Sequence, residues 1–272
     1  MRIVFIRHGD PNYEKDCLTP LGKKEALVVA KRLKKIGTEE PAAKIKKIYS
    51  SPLGRARQTA DAAAKILRLD IEILDYMKEI SWSGDELPCG GHPWTLSGWL
   101  VDKENFDFAK NDWRAHPYFK DNQARLDCQS IAAGIDQFLS RYGYRHEGNR
   151  FFCECKPESE EARELREATV AIFAHGGSIA CVFSHLMGIP LPYALSSMFL
   201  AHTSISVLNF PFRPGEWIHP VLELFNDAAH IVPLTKTKRR RAGAGKEGIG
   251  LKPRFNDKYL ICDIIQAWPI PN

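Results

Sequence analysis

The sequence predicts an α/β fold in which short buried strands alternate with helices. Two observations carry this reading. Ile3 to Ile6 and Val170 to Ala174 are short, continuous apolar runs of the kind that form strands buried on both faces. A hydroxyl residue followed by proline recurs at Thr19-Pro20 and Ser51-Pro52, where a helix would begin after a strand or loop. A chain of 272 residues, 44% of them hydrophobic, can bury one large α/β core or a core plus an insertion.

Taken in order, the run at Ile3 gives the first strand. Thr19 then caps a helix whose apolar residues Ala26, Val29, Ala30 and Leu33 share one face and which Gly37 closes. Ile45 to Ser50 reads as a second strand, followed by a helix from Ser51-Pro52 through about Leu67 that puts Arg55 in its first turn. Ile71 to Leu74 is a third strand, and Asp75 to Gly91 a loop. From Trp94 to about Glu167 helical stretches such as Ser130 to Tyr142 alternate with aromatic and charged loops. Val170 to Ala174 returns to a core strand, Ser178 to Met187 is a helix, and Ser204 to Phe210 and Val221 to Phe225 are further strands. The expected organisation is one domain over residues 1–272, with an inserted or cap region at about 84–167 and a basic loop and extension at about 233–272.

Composition narrows the function classes. The apolar N-terminal stretch is too short for a signal peptide or membrane span and is interrupted by Arg7, so a cytoplasmic location is expected. Seven scattered cysteines do not form a disulfide framework in a chain of this length. His146, Cys153 and Cys155 lack zinc-ligand spacing, and buried or free thiols are expected there. The segment 236–254 carries a net +7 out of a total of +5, so the rest of the chain is slightly acidic and offers no general polyanion surface. Its interleaved glycines suggest a solvated loop; attraction of an anionic substrate and a nucleic-acid contact are the alternatives.

The chemistry lies in two His-Gly pairs. His8-Gly9 and His175-Gly176 each follow an apolar run, so both imidazoles fall at the carboxyl ends of strands, where open α/β sheets bind ligands. Arg7 and Arg55 add guanidinium groups able to clamp the oxygens of a phosphoryl dianion. A neutral imidazole can attack phosphorus and form a covalent phosphoenzyme. His8, beside Arg7, is the expected nucleophile, with the Gly9 carbonyl reaching the other ring nitrogen. His175 would donate to the developing phosphoryl charge, and Gly176 would allow close backbone approach.

Arg7-His8-Gly9, then Ser51-Pro52-Leu53-Gly54-Arg55-Ala56-Arg57-Gln58-Thr59-Ala60, then Lys78-Glu79-Ile80, then His175-Gly176 resemble the histidine phosphatase superfamily in order and spacing. The resemblance covers residues 1 to 85 and about 168 to 232. It implies a three-layer α/β/α sandwich with a mostly parallel central sheet, of the phosphoglycerate mutase-like, branch 1 type. It further implies a phosphohistidine on His8, a phosphate pocket of Arg7, Arg55 and His175, and neither metal nor other cofactor. The family's general acid lies in the loop after the third strand, a slot held here by Glu79, with Asp85, Glu86 and Asp10 as fallbacks; its dual role as acid and base needs a raised pKa.

Departures from the family pattern qualify the pocket's rim. Asp10-Pro11-Asn12-Tyr13 replaces the usual acid and threonine, and His202-Thr203-Ser204 stands where relatives have Asn-Thr-Ser. His202 either faces the pocket or belongs to a strand edge. Trp82, Trp94, Trp99 and Trp113, with Tyr13, are core residues by default or an aromatic wall for a bulky leaving group. The family's mutases carry Glu-Arg-His-Tyr-Gly where this chain has Glu79-Ile80-Ser81-Trp82-Ser83-Gly84, which favours hydrolysis. The expected function is metal-independent hydrolysis of a small-molecule phosphomonoester, with phosphoglycerate mutase-type transfer or a weakly active phosphate-binding regulator as alternatives. No membrane partner is expected, nucleic acid is disfavoured, and a homo-oligomer is left open.

Overall fold

A computed structural model describes residues 1–83, 105–108 and 110–234. Its strands are β1 (Arg2–Arg7), β2 (Pro11–Asn12), β3 (Cys17–Leu18), β4 (Ile45–Ser50), β5 (Ile71–Ile73), β6 (Tyr144–Glu147), β7 (Arg150–Cys153), β8 (Thr169–Ala174), β9 (Ile205–Asn209), β10 (Trp217–Ile218) and β11 (Val221–Asp227). The helices are α1 (Pro20–Glu39), α2 (Gly54–Leu67), α3 (Gln123–Arg141), α4 (Glu160–Leu165), α5 (Gly176–Met187) and α6 (Leu191–Ser197).

The central sheet has six strands in the order β11-β9-β1-β8-β4-β5. β1, β8, β4 and β5 pair in parallel, while β9 runs antiparallel to β1 and to β11. The two-residue period of a strand explains the layers. Val4 and Ile6 of β1, with Ala171 and Phe173 of β8, pack on Val29, Ala30 and Leu33 of α1 and Ala60 and Ala63 of α2. Ile3 and Phe5, with Val170 and Ile172, point to the opposite face, toward Ile131, Ile135 and Phe138 of α3 and Val182 and Phe183 of α5. The result is the expected α/β/α sandwich with a mostly parallel sheet. The hairpin β6-β7 adds β10 to make a smaller three-stranded sheet.

Three boundaries move for local reasons. Thr19 does cap α1, its hydroxyl accepting from the Gly22 amide at 3.1 Å. Gly37 does not close that helix, which continues to Glu39; a Cβ at Gly37 would come within 2.9 Å of the Lys44 Cα, so the glycine serves a close chain crossing instead. α2 starts at Gly54 rather than at Ser51-Pro52, with Leu53 as its cap residue. α3 begins at Gln123, earlier than expected, because the Asn122 side chain caps it by accepting from the Ala124 amide at 3.0 Å.

Candidate active site

Strand register builds the centre of the site. Arg7 of β1 lies opposite Ala174 of β8, so the residues that follow, His8 and His175, leave the sheet side by side. Their ring centroids are 5.2 Å apart, and the His8 amide donates to the Ala174 carbonyl at 2.9 Å. One strand further, Ser50 of β4 is opposite Phe173, and the Ser51 amide donates to the Phe173 carbonyl at 2.9 Å. The carboxyl ends of three parallel neighbours thus converge on one point, as open α/β sheets favour.

His8 is 1% exposed, and its Nδ1 lies 2.7 Å from the Gly9 carbonyl. A carbonyl only accepts, so Nδ1 carries the proton and Nε2 keeps its lone pair. Burial pushes this imidazole down to about 3, reinforced by Arg7, Arg55 and His202, and against the Gly9 hydrogen bond, so it is neutral at ordinary pH. The Gly9 turn also needs room, because a Cβ there would sit 2.7 Å from the Gly22 carbonyl oxygen.

His175 is fully buried, and its Nε2 lies 2.8 Å from the Ser51 hydroxyl. Burial, then His8, Arg55 and Arg7, hold it well below its usual range. If the Ser51 hydroxyl donates to Nε2, the remaining nitrogen, Nδ1, carries the ring proton. That Nδ1 is buried without a partner, as are Arg7 Nε and Arg55 Nε. A buried polar atom without a partner costs free energy until a ligand or solvent atom receives it.

Each arginine is anchored by its outer nitrogen. Arg7 Nη1 donates to the Leu200 carbonyl. Arg55 Nη1 donates to Asp16 Oδ1 at 2.6 Å, while Asp16 Oδ2 accepts from the Gly54 amide at the start of α2, also at 2.6 Å. Asp16 and Ser51 are parts of the site that sequence reasoning missed. Nothing in the sequence around Asp16 marks it, whereas Ser51, before Pro52, reads as a helix cap.

Glu79 follows the short turn Asp75–Met77 after β5 and reaches the N-terminus of α5. Its carboxylate accepts from the Ser178 amide at 2.9 Å, the Gly177 amide at 3.3 Å and the Ile80 amide at 3.0 Å. Burial raises its pKa despite these hydrogen bonds and the pull of Arg7. The close backbone approach expected of Gly176 falls on the next residue. A Cβ on Gly177 would meet Glu79 Oε1 at 2.6 Å, whereas one on Gly176 would make an ordinary 3.5 Å contact with Arg7 Nε.

At the rim, His202 stands beside His8, with ring centroids 5.7 Å apart and Nδ1 3.9 Å from Asp10 Oδ1. Asp10 is itself held by the Thr19 hydroxyl. Tyr13 is exposed, edge-on to His8 at 6.5 Å and under Arg55 at 5.3 Å. Trp82 and Trp113 instead pack edge-on against buried Phe119, as core residues do. Asp85, Glu86, Trp94, Trp99 and the basic segment 236–254 lie outside the described residues. Among the described residues, no helix is long and apolar enough to cross a membrane.

Comparison with known proteins agrees with this fold. The profile of the histidine phosphatase superfamily (branch 1) matches residues 3–88. The "Probable phosphoglycerate mutase GpmB" of Shigella boydii is 22% identical over 245 residues, covering 85% of this chain and 95% of that protein. Among solved structures, a phosphoserine phosphatase mutant from Entamoeba histolytica in complex with phosphoserine superposes with a TM-score of 0.54 at 23% identity, covering 85% of this chain and 99% of that one. A mycobacterial glucosyl-3-phosphoglycerate phosphatase with inorganic phosphate gives 0.54 at 21% identity, covering 84% and 98%.

Proposed function

We propose that this chain, a member of the histidine phosphatase superfamily (branch 1) through its residues 3–88, hydrolyses a small phosphomonoester through a phosphohistidine on His8. The observation that carries the reading is the neutral His8 imidazole with His175 5.2 Å away, beside Arg7 and Arg55, together with the unpartnered buried atoms Arg7 Nε, Arg55 Nε and His175 Nδ1.

In the first step the His8 Nε2 lone pair forms a bond to phosphorus while the bond to the leaving oxygen breaks, and protonated Glu79 gives that oxygen its proton. The arginines and His175 receive the charge that spreads over the phosphoryl oxygens. In the second step a water oxygen attacks phosphorus and gives a proton to the Glu79 carboxylate. The N–P bond breaks, its electron pair returns to Nε2, and phosphate leaves. The raised pKa of Glu79 suits a group that must be acid and then base. Every role rests on the protein's own side chains, so turnover needs no metal.

The names of the similar proteins point to phosphorylated small acids as a first substrate screen: phosphoserine, 3-phosphoglyceric acid and glucosyl-3-phosphoglycerate. Mutase-type transfer is the second reading, favoured by the name of the Shigella boydii relative. Against it stands Ile80-Ser81-Trp82 in place of the mutases' Arg-His-Tyr.

The deciding assay is hydrolysis of an aryl phosphate by wild type and His8→Ala, with excess chelator, from acidic to neutral pH. Chelator-resistant turnover in wild type that falls at least about a thousandfold in the variant is expected. An active His8→Ala protein would reassign the nucleophile. An inactive wild type that interconverts phosphoglycerates would make the protein a mutase.

A further inference from the structure

A second cluster lies at the far end of α5. Asp136 of α3, His146 of β6 and His185 in the last turn of α5 bring their side chains together. His146 Nδ1 is 2.8 Å from Asp136 Oδ1, His185 Nε2 is 2.8 Å from Asp136 Oδ2, and the two nitrogens are 3.2 Å from each other. His185 is ten positions along the helix from His175, roughly 15 Å at helical rise, so this is not the phosphate pocket.

Four atoms converge here, because each imidazole nitrogen faces its own oxygen of the same carboxylate. A carboxylate only accepts, so without a cation both facing nitrogens carry N–H groups, one to each oxygen. A divalent cation between them would take a lone pair from each nitrogen and from the carboxylate in place of those two protons. The spacings also suit one: with bonds of about 2.0–2.1 Å, neighbouring ligands lie about 2.9 Å apart in octahedral and about 3.3 Å apart in tetrahedral geometry.

We propose that Asp136, His146 and His185 bind a divalent transition-metal ion, with zinc the best match to two imidazoles and one carboxylate, as a clip joining α3, β6 and α5. The ligands stand on regular elements, and the His146 ring is further fixed by stacking on Phe151 at 4.2 Å and 8°. The C-terminal end of α5, closed at Gly188, presents the negative end of its dipole to a cation at His185. A cavity of about 310 Å³ bordered by His185, Ser184, Asn149 and Asp112 opens beside the His185 ligand. The Cys153 and Cys155 thiols, the other metal-capable neighbours of His146 in sequence, go elsewhere: Cys153 accepts from Arg166 at 3.3 Å and Cys155 is exposed.

The test is Zn²⁺ titration of chelator-stripped, full-length protein against a chromogenic zinc indicator. One equivalent is expected in wild type and in His8→Ala, and none in Asp136→Asn or His185→Gln. Saturating Zn²⁺ should raise the wild-type Tm by roughly 5 °C or more and leave the two cluster variants unmoved. Should a variant fail to fold, wild type loaded with Co²⁺ reads the ligands directly, through two exchangeable imidazole N–H resonances shifted far downfield in proton NMR. Failure of wild type to bind a stoichiometric ion, binding lost in His8→Ala or kept in both cluster variants, or Co²⁺ protein without the imidazole resonances would each overturn the site.

Discussion

Glu79 shows how one residue's surroundings set a testable chemistry. Its carboxyl is buried and its pKa raised, whereas burial leaves His8 neutral down to about pH 3. The pair is competent between those limits, with His8 unprotonated and Glu79 protonated. Rate should fall as pH rises through the Glu79 value, and on the acid side only near pH 3. Glu79→Gln keeps the shape and removes the proton. For an alkyl phosphate, whose leaving oxygen needs that proton, we expect kcat/KM, which reports the phosphorylation step, to drop about 10²–10⁴-fold; for a nitrophenyl ester, which leaves unaided, its loss should be far smaller. Equal losses on the two esters would deny Glu79 the acid role. His8, Arg7, Arg55, Glu79 and His175 were legible because each sits in a short sequence block. Ser51 and Asp16 were not, because a hydroxyl before proline reads equally well as a cap, and a loop aspartate carries no signal until the fold brings Arg55 to it.

At the scale of elements, the start of α2 couples fold to pocket. Asp16 adopts a positive φ of 44° and spans both the Gly54 amide and the Arg55 guanidinium. A Cβ on Gly54 would fall 2.1 Å from the Asp16 carbonyl oxygen, so Gly54→Ala must push that loop away from the helix. We expect a loss of about 1–3 kcal/mol in urea melts, together with weaker inhibition by inorganic phosphate as Arg55 loses its anchor. Unchanged phosphate inhibition would show that Arg55 holds its place without Asp16. Of the parallel strands, β1 and β8 are readable as short apolar runs, and β4, despite Lys46 and Lys47, is predicted residue for residue. α3 was read only in its C-terminal part, from about Ser130. There Ile131, Ile135 and Phe138 recur at helical spacing, whereas the first turns carry only Ala124, Cys128 and the exposed Leu126 among polar residues and depend on the Asn122 cap. The clip of Asp136, His146 and His185 left no motif, since its ligands come from a helix, a hairpin and another helix.

The whole molecule carries its histidines in a way that links stability to pH. His8, His202 and His230 are pushed down to about 3, 4 and 4, chiefly by burial, and His175 lies well below its usual value. Unfolding returns each to an ordinary imidazole near 6.5, so between that value and the folded one the unfolded chain binds more protons. These groups therefore leave stability intact above about pH 6.5 and withdraw it progressively as pH falls toward 4. Glu79 acts in the opposite sense, because its folded pKa is raised and the folded state holds the extra proton. With several imidazoles against one such carboxyl among the described residues, the net expectation is a protein that weakens in mild acid, before ordinary carboxylates titrate. His8→Asn removes one of the buried imidazoles without adding a charge. Its urea-derived stability should lose less between pH 7 and pH 5 than wild type does, by about 2 kcal/mol for a site so fully buried. Parallel profiles for the two proteins would mean that His8 is protonated in the folded state at pH 5, and a protonated His8 has no lone pair with which to attack phosphorus at that pH.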